Sequence, residues 1–431
     1  MKRLSATIFK DPDKKEILTK GFSFLVLRLF GAVVGYIFTI YVSNKYGADV
    51  YGLVALCFSI FLIVGVFGRL GLDTNLIKFF SQDKNDTEAG IFYKSIIISF
   101  IASCFFAVIV YVFREPIVLE FYQDPKPELL DYLPWVLACI PFWNVAMICS
   151  SLLRAKKQSM AYSFINYPSR FLFSVLLLYF FVNLSDNPVI IMKAHFWAVV
   201  ITAVFSLILA IRKLDLSMKN SIKSAFFVKD SFPMLLSSSI LILLSIVDTQ
   251  IMGVYESKTN VGIYTVAIKI TALTTFTLQA INSILAPKIA KSHAEGSFTF
   301  EKLIRFSTNL NFIITVLLAG VIIIFNKTIL GLFGEEFENG NIILIILCIG
   351  QVVNSFSGSV GIILQMIGKQ KVQQNFVLIA LLINIILTFM LTPVYGGLGA
   401  ATATVISMAF WNIGCSIYIK RSLGIKTYFH I

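Results

Sequence analysis

Along the 431 residues, apolar runs of twenty or more positions recur at short intervals, and most charged residues fall between them. An α-helix rises 1.5 Å per residue, so about 20 mostly apolar residues cross a hydrocarbon core of about 30 Å. Twelve stretches reach that length, at roughly 20–43, 50–70, 91–113, 131–153, 160–182, 189–211, 231–254, 262–286, 303–325, 341–366, 373–392 and 397–419. Trp and Tyr lie near several of their ends, where interfacial anchors belong. The pattern predicts an all-α polytopic membrane protein of about 12 transmembrane helices. The first run follows a basic segment and has no small-residue cleavage site, so it is expected to be a retained span rather than a signal peptide.

Composition agrees. The chain is 57% hydrophobic with 40 phenylalanines, and 14% charged, against about 25% in ordinary soluble domains. A formal charge of +13 would suggest nucleic acid in a soluble protein, but the location of the charges explains it otherwise. Of the 36 lysines and arginines, 27 fall in one alternate set of loops and ends and six in the other set. The first set runs from Lys2 and Arg3 to Lys420, Arg421 and Lys426; the second is Lys45, Arg114, Lys126, Lys193, Lys258 and Lys327. The positive-inside bias then puts both termini in the cytoplasm and leaves no role for nucleic acid. No outer connection, the longest being about 114–130, has room for a catalytic domain. No nucleophile–base pair, phosphate loop or dinucleotide fingerprint appears, so the chain is expected not to be an enzyme. Cys57, Cys104, Cys139, Cys149, Cys348 and Cys415 sit in apolar runs without a CxxC pair and read as small hydrophobes. His195, His293 and His430 are far apart, and no metal site is expected.

The chain also resembles itself. At an offset of 210, Phe22 meets Phe232, Thr39 meets Thr249, Gly52 meets Gly262 and Lys78 meets Lys288. An offset of 212 then aligns Phe113 with Phe325, Ile117 with Ile329, Leu152 with Leu364, and Lys157 with Lys369. The expected lobes are 1–215 and 216–431, with six spans each. Six is even, so both start on the same side, which makes a parallel repeat about an axis along the membrane normal. Two such lobes around a central cleft are the architecture of a transporter.

Topology leaves three basic residues unexplained: Arg28, Arg170 and Lys269. Of 23 acids, only Asp248 lies well inside a span. A charge at mid-bilayer costs at least about 2.5–3.5 kcal/mol, so it faces protein or water. Arg28 shares a helical stripe with Gly21, Gly31, Ala32, Gly35 and Thr39, the small residues that line helix contacts. Arg170 shares its face with Ser163, Asn166 and Ser174, and Pro168 before it can kink the helix. Lys269 lines up with Thr265, Ala272, Gln279 and Ser283. Each of the three can instead snorkel to the headgroups, Arg170 least easily because it lies deepest. Asp248 has two readings: it pairs with a buried cation, or it takes up H⁺ or Na⁺ and couples transport to an ion gradient. Asn144, Gln351, Asn354, Gln365 and Asn384 are candidates for substrate contact or, one by one, for interhelical hydrogen bonds.

The motifs YGADVYGLVAL and GRLGLDTNLIKFFS, the hairpin VDTQIMGVYESKTNVGIYTVAIKIT and the turn PVYGGLGAATATVIS resemble those of polysaccharide-biosynthesis flippases. These are the Wzx-type, O-antigen members of the multidrug/oligosaccharidyl-lipid/polysaccharide exporter superfamily. The resemblance covers nearly the whole chain. It implies a two-lobed protein of a bacterial cytoplasmic membrane that flips an undecaprenyl-pyrophosphate-linked oligosaccharide to the outer leaflet by alternating access. It also implies partnership with the lipid bilayer, a polysaccharide polymerase and glycosyltransferases. Arg28, Arg170 and Lys269 would then form a cationic cavity for the pyrophosphate, since guanidinium forks meet phosphate oxygens bidentately. No cofactor is expected beyond the coupling ion. The alternative is a drug/cation antiporter of the same superfamily, which would want acids where this chain has three bases and one acid.

Overall fold

A computed structural model describes residues 12–82, 88–183, 186–213, 224–294 and 300–430. Among these residues the secondary structure is helical, without strands. The run Pro12–Arg69 is two helices that meet at Gly47, whose φ of 80° and ψ of 175° break the helix. They are α1 (12–46) and α2 (48–69). The chain continues through α3 (Leu72–Phe80), α4 (Ala89–Val112), α5 (Leu129–Ala155), α6 (Ser159–Asn166), α7 (Ser169–Phe181) and α8 (Ile190–Ile211). Then follow α9 (Ser224–Tyr255), α10 (Lys258–Ala272), α11 (Thr275–Ala294), α12 (Phe300–Ile324) and α13 (Asn326–Gly331). The last four are α14 (Asn341–Ser357), α15 (Val360–Met366), α16 (Gln370–Tyr395) and α17 (Gly397–Leu423).

Nine of the described helical stretches are long and apolar enough to cross a membrane, and two bent pairs, α6 with α7 and α10 with α11, bring the number to 11. Taking α1 and α2 separately completes the expected twelve. The expected kink beside Pro168 is a bend of 51° between α6 and α7. One element was not anticipated: α3 follows the second span directly, with Leu72, Leu76 and Phe80 buried.

Burial is inverted relative to a soluble protein. On α4, Ser95, Ser99, Ser103 and Ala107 are buried at four-residue spacing, while Ile97, Ile101, Phe105 and Val112 are exposed. The hydroxyls do not need water: Ser95 and Ser103 donate to carbonyls one turn back (2.7 and 2.6 Å), and Ser99 donates to the Gly68 carbonyl (3.1 Å). Small faces pack against neighbouring helices and large apolar faces turn outward, which only a hydrocarbon solvent tolerates over so many spans. The protein is therefore a multi-pass membrane protein. All six cysteines are free, and five are buried, as small hydrophobes would be.

The chain forms two compact units. Unit 1 comprises Met1–Thr39, Ile60–Glu115 and Glu128–Ser239; unit 2 comprises Ile40–Ser59, Pro116–Pro127 and Ile240–Ile431. Packing thus draws the α1–α2 junction and the 116–127 connection in with the second half of the sequence. Neither unit is one continuous half of the chain.

Within unit 1, α1 lies so close to the α6–α7 bend that a Cβ on Gly31 would stand 2.7 Å from the Tyr167 carbonyl carbon and 2.9 Å from the Pro168 nitrogen. Gly35 faces the Phe171 ring, and Phe38 packs on the same ring at 5.3 Å between centroids. Part of the small-residue stripe is therefore a helix contact; the surroundings of Gly21 lie outside the described residues. A Gly31→Ala change gains up to about 1 kcal/mol of helix propensity and loses about 1–3 kcal/mol to overpacking against backbone that cannot rotate away. Thermal unfolding of the purified variant in detergent should show a lower midpoint, and an unchanged midpoint would mean that the bend yields.

The repeat can be read in local geometry. Lys157 (φ 57°) and Gly368 (φ 76°) occupy the left-handed region at equivalent turns. The Gln158 amide donates to Leu153 O and the Lys369 amide to Leu364 O, both at 2.8 Å, the six-to-one bond of a helix C-cap. Equivalent residues here differ by 211, so Leu153, not Leu152, matches Leu364. The sequence alignment at 212 is one residue out in this turn, because like residues were matched where backbone geometry decides.

Unit 2 contains a more telling contact. A Cβ on Gly52 would overlap the Lys258 carbonyl, and a Cβ on Gly262 would overlap the Ala48 carbonyl. Each of the two glycines would also bring its Cβ to 3.1 Å from the other's backbone nitrogen. Positions 52 and 262, and 48 and 258, are repeat equivalents at an offset of 210. Residue i meeting j′ while i′ meets j is the exchange that a two-fold axis imposes. The start of α2 and the start of α10 therefore cross on a local two-fold, at the glycine pair aligned by sequence.

Candidate functional site

Unit 1 carries two of the three cations. Arg28 is half-buried on α1, with its guanidinium carbon 5.2 Å from the centre of the Tyr167 ring. Arg170 begins the helix after the bend, and its guanidinium lies among three rings: Phe171 at 4.4 Å, Phe61 at 5.2 Å and Trp143 at 5.4 Å. Aromatic faces attract the cation without neutralising it. The two arginines thus flank one helix contact, since Tyr167 touches Arg28 and belongs to the bend that positions Arg170. The face expected for Arg170 is put to use elsewhere. Asn166 donates to Ser150 Oγ (2.6 Å), and Ser174 donates to the Arg170 carbonyl (2.7 Å) and lies 3.1 Å from His195 Nδ1.

Unit 2 carries Lys269 and Asp248. Lys269 is half-buried near the end of α10, its Nζ 5.6 Å from the Tyr51 ring centre. The single polar stripe expected for it is broken: Gln279 and Ser283 belong to α11, beyond a bend of 41°. The sequence pattern assumed one straight helix.

Asp248 is 2% exposed. One carboxylate oxygen accepts from Tyr264 Oη (2.7 Å) and Thr404 Oγ1 (3.0 Å), and the other accepts from the Thr249 amide (2.8 Å). Among the described residues its partners are two hydroxyls and an amide rather than a lysine or arginine. Beside it, Ser407 donates to the Thr404 carbonyl (2.9 Å) and Asn384 donates to Ser407 Oγ (3.3 Å). On α16 the side-chain oxygens of Asn384, Thr388 and Thr392 are buried at four-residue spacing without a hydrogen-bond partner among the described residues. Asp248, Tyr264, Thr404, Ser407 and Asn384 thus link α9, α10, α16 and α17 through hydrogen bonds. Tyr264 and Thr404 could not be found from sequence, because each lies on a different helix from Asp248 and neither carries a charge.

The remaining polar candidates form short-range pairs. Asn144 donates to Ser103 Oγ (2.7 Å) and accepts from Arg69 (3.2 Å). Gln351 accepts from Asn354 (3.3 Å), and Gln365 donates to Gln373 (3.0 Å). Lys126 is a loop charge by sequence, but the structure encloses it. The side chain is 1% exposed, and its Nζ donates to the carbonyls of Asp124 and Gly253, each at 2.8 Å. Together with the Gln123 amide on Val254 O (2.8 Å), it fastens the 116–127 connection to the end of α9.

Family models place the chain clearly. Residues 17–293 match the polysaccharide biosynthesis protein family, and residues 233–390 match MatE. The probable low-salt glycan biosynthesis flippase Agl15 of Haloferax volcanii is 28% identical over 181 residues, 42% of this chain and 38% of that protein. The capsular polysaccharide biosynthesis protein CapF of Staphylococcus aureus is 29% identical over 166 residues, 38% of this chain and 42% of that protein. The matches thus span about two-fifths of the length of these curated relatives. Among solved structures, the lipid II flippase MurJ in an inward closed conformation superposes with a TM-score of 0.77 at 16% identity, over 92% of this chain and 87% of that one. An inward-facing multidrug resistance MATE family transporter gives 0.76 at 16% identity, over 93% and 94%. At that identity the likeness shows the fold. The family match covers more than half of the chain: this multi-pass membrane protein belongs to the polysaccharide biosynthesis protein family.

Proposed function

We propose that the chain moves a lipid-pyrophosphate-linked oligosaccharide from the cytoplasmic to the outer leaflet. The lobes 1–215 and 216–431 would expose a cationic head-group site alternately to the two sides. The observation that carries this reading is that Arg28, Arg170 and Lys269 are the three cations that the positive-inside pattern does not explain. Two of them flank one helix contact, as a site for a diphosphate would need. Support for a glycan-linked substrate comes from the names of the relatives, which concern glycan and capsular polysaccharide biosynthesis. Orientation with both termini in the cytoplasm rests on the distribution of lysine and arginine.

Asp248 is assigned to ion coupling rather than charge pairing. Its donors are neutral, and an uptake of H⁺ or Na⁺ would relieve the cost of a buried charge. The hydroxyl oxygens of Tyr264 and Thr404 beside it suit a hard cation better than a nitrogen-rich setting would. The drug/cation antiporter alternative draws support from the MatE match over 233–390, and it predicts transport of organic cations that depends on Asp248 and not on the arginines.

The test is complementation of a strain that lacks its own polysaccharide flippase, with membrane levels of each variant measured. Wild type should restore surface glycan. Arg28→Ala and Arg170→Ala should each reduce it to background, and the corresponding lysine variants should restore part of it, because charge remains and the bidentate fork is lost. Normal surface glycan from both alanine variants would remove the cationic site.

A further inference from the structure

The last residues of the chain build a feature that the transport reading does not use. Gly424, with φ 72°, ends α17, and 425–430 fold back across α12, α14 and α17 in unit 2. The return is fastened along its length. Thr308 Oγ1 donates to Thr427 O (2.9 Å), the Phe429 amide donates to Phe356 O (2.8 Å), and Asn309 donates to His430 O (2.9 Å). The hydroxyls of Ser416 and Thr427 bond at 2.7 Å, and the Phe429 ring packs on Phe312 at 4.4 Å. Thr427 is fully buried, and a Cβ on Gly358 would stand 2.6 Å from the Thr427 carbonyl oxygen, so the tail and the α14–α15 break are fitted to each other.

Between this tail and the helices lies a pocket of about 410 Å³. That is within the range of about 300–1,000 Å³ that holds small ligands. Phe312, Val353, Phe356 and Ile417 supply an apolar wall, and Lys420 and Tyr428 supply the polar groups, the ammonium lying 5.7 Å from the centre of the tyrosine ring. Ile413 and Ile417 beside it are 45% and 48% exposed, which in a bilayer means contact with hydrocarbon. Arg421 and Lys426 are exposed on the same short stretch of chain. An apolar chamber with a cation at its edge, open toward lipid, selects an amphipathic anion. Basic pockets between transmembrane helices hold anionic headgroups on the cytoplasmic side, where the positive-inside bias puts this end.

We propose that this pocket binds an anionic glycerophospholipid, with one acyl chain against Phe312, Val353 and Phe356 and the phosphate on Lys420 and the Tyr428 hydroxyl. The bound lipid would complete the packing of the tail on α12, α14 and α17. This site is separate from the arginines and from Asp248, and its test needs no transport. The full chain, purified and exchanged into phosphatidylcholine nanodiscs containing one-fifth phosphatidylglycerol, is released into the gas phase, and retained lipids are identified by native mass spectrometry. Wild type should retain one phosphatidylglycerol under activation that strips phosphatidylcholine. Lys420→Glu should lose it, Lys420→Arg should keep it, and Val353→Phe, which fills the pocket, should lose it. Equal retention of the two lipids would overturn the proposal, as would retention by both Lys420→Glu and Val353→Phe. Loss in Lys420→Glu alone would also overturn it, by placing the lipid on surface charge and not in the pocket. Preferential retention of an added polyprenyl phosphate over phosphatidylglycerol would overturn the assignment of the lipid class.

Discussion

Gly52→Ala should yield little folded protein, and Gly262→Ala should do the same. Alanine is the better helix former by about 0.8–1.0 kcal/mol, so at an unhindered position the change would stabilise. At position 52 the new methyl overlaps the Lys258 carbonyl and stands 2.7 Å from the carbonyl carbon. Those atoms are backbone in a helix, and relief requires moving α10 as a whole. Overpacking typically costs about 1–3 kcal/mol, occasionally more, and a backbone obstacle belongs at or above the top of that range. The matching control is Gly320, in the interior of α12, with nothing within 4 Å of its Cβ position. Gly320→Ala should leave yield and melting midpoint unchanged or raised. Size-exclusion profiles and thermal unfolding in detergent read all three variants. Normal behaviour of both Gly52→Ala and Gly262→Ala would mean that the α2–α10 crossing is looser than described.

Asp248→Asn should abolish the response of the protein to its coupling ion while leaving it folded. The carboxylate accepts two hydroxyls and one amide, and an asparagine of the same shape keeps the amide bond through Oδ1 and donates through Nδ2 to the hydroxyls once they turn. Tyr264 Oη and Thr404 Oγ1 lie 3.3 Å apart, and Thr404 Oγ1 also lies 3.0 Å from the Ala400 carbonyl, so both hydroxyls have other partners. Asp248→Ala removes the acceptor altogether and leaves a hole, costing about 1–3 kcal/mol for a donor left unpaired. Ion binding to the folded state raises its stability by mass action. Wild type should therefore melt higher in NaCl than in KCl at equal ionic strength if Na⁺ couples, or higher as pH falls if H⁺ does. Asp248→Asn should show neither response. The same increment in wild type and variant would assign the ion effect elsewhere and leave Asp248 a structural acceptor. Glycan display in the complemented strain should fall to background in Asp248→Asn, because a site fixed in its neutral form cannot cycle.

The twelve apolar runs were legible because a bilayer demands about 20 apolar residues per helix, whatever those helices then touch. The repeat was legible for a related reason: positions such as Gly52 and Gly262 are constrained by equivalent contacts, so equivalent residues stand there. Its register at the fourth-to-fifth connection was not, since Lys157 and Gly368 are equivalent in backbone conformation and unlike as residues. The three cations could be singled out by subtraction, because charge placement follows topology. Their surroundings could not. That Arg170 lies among Phe61, Trp143 and Phe171 depends on helices α2, α5 and α7 converging, and a chain with 40 phenylalanines offers no local signal for which ones converge.

The sequence by itself thus determined the class of solvent, the number of spans, the duplication and the few charges that need an explanation. These follow from transfer free energies and helix length, which are properties of segments taken one at a time. Only the tertiary structure decided what each charge meets. It bent the helix of Lys269 away from Gln279, enclosed Lys126 under its own loop, gave Asp248 hydroxyls in place of a cation, and folded the C-terminal tail into the wall of a pocket. Each of those outcomes depends on contacts between residues distant along the chain, where packing geometry, and not local pattern, sets which polar groups come within hydrogen-bond reach.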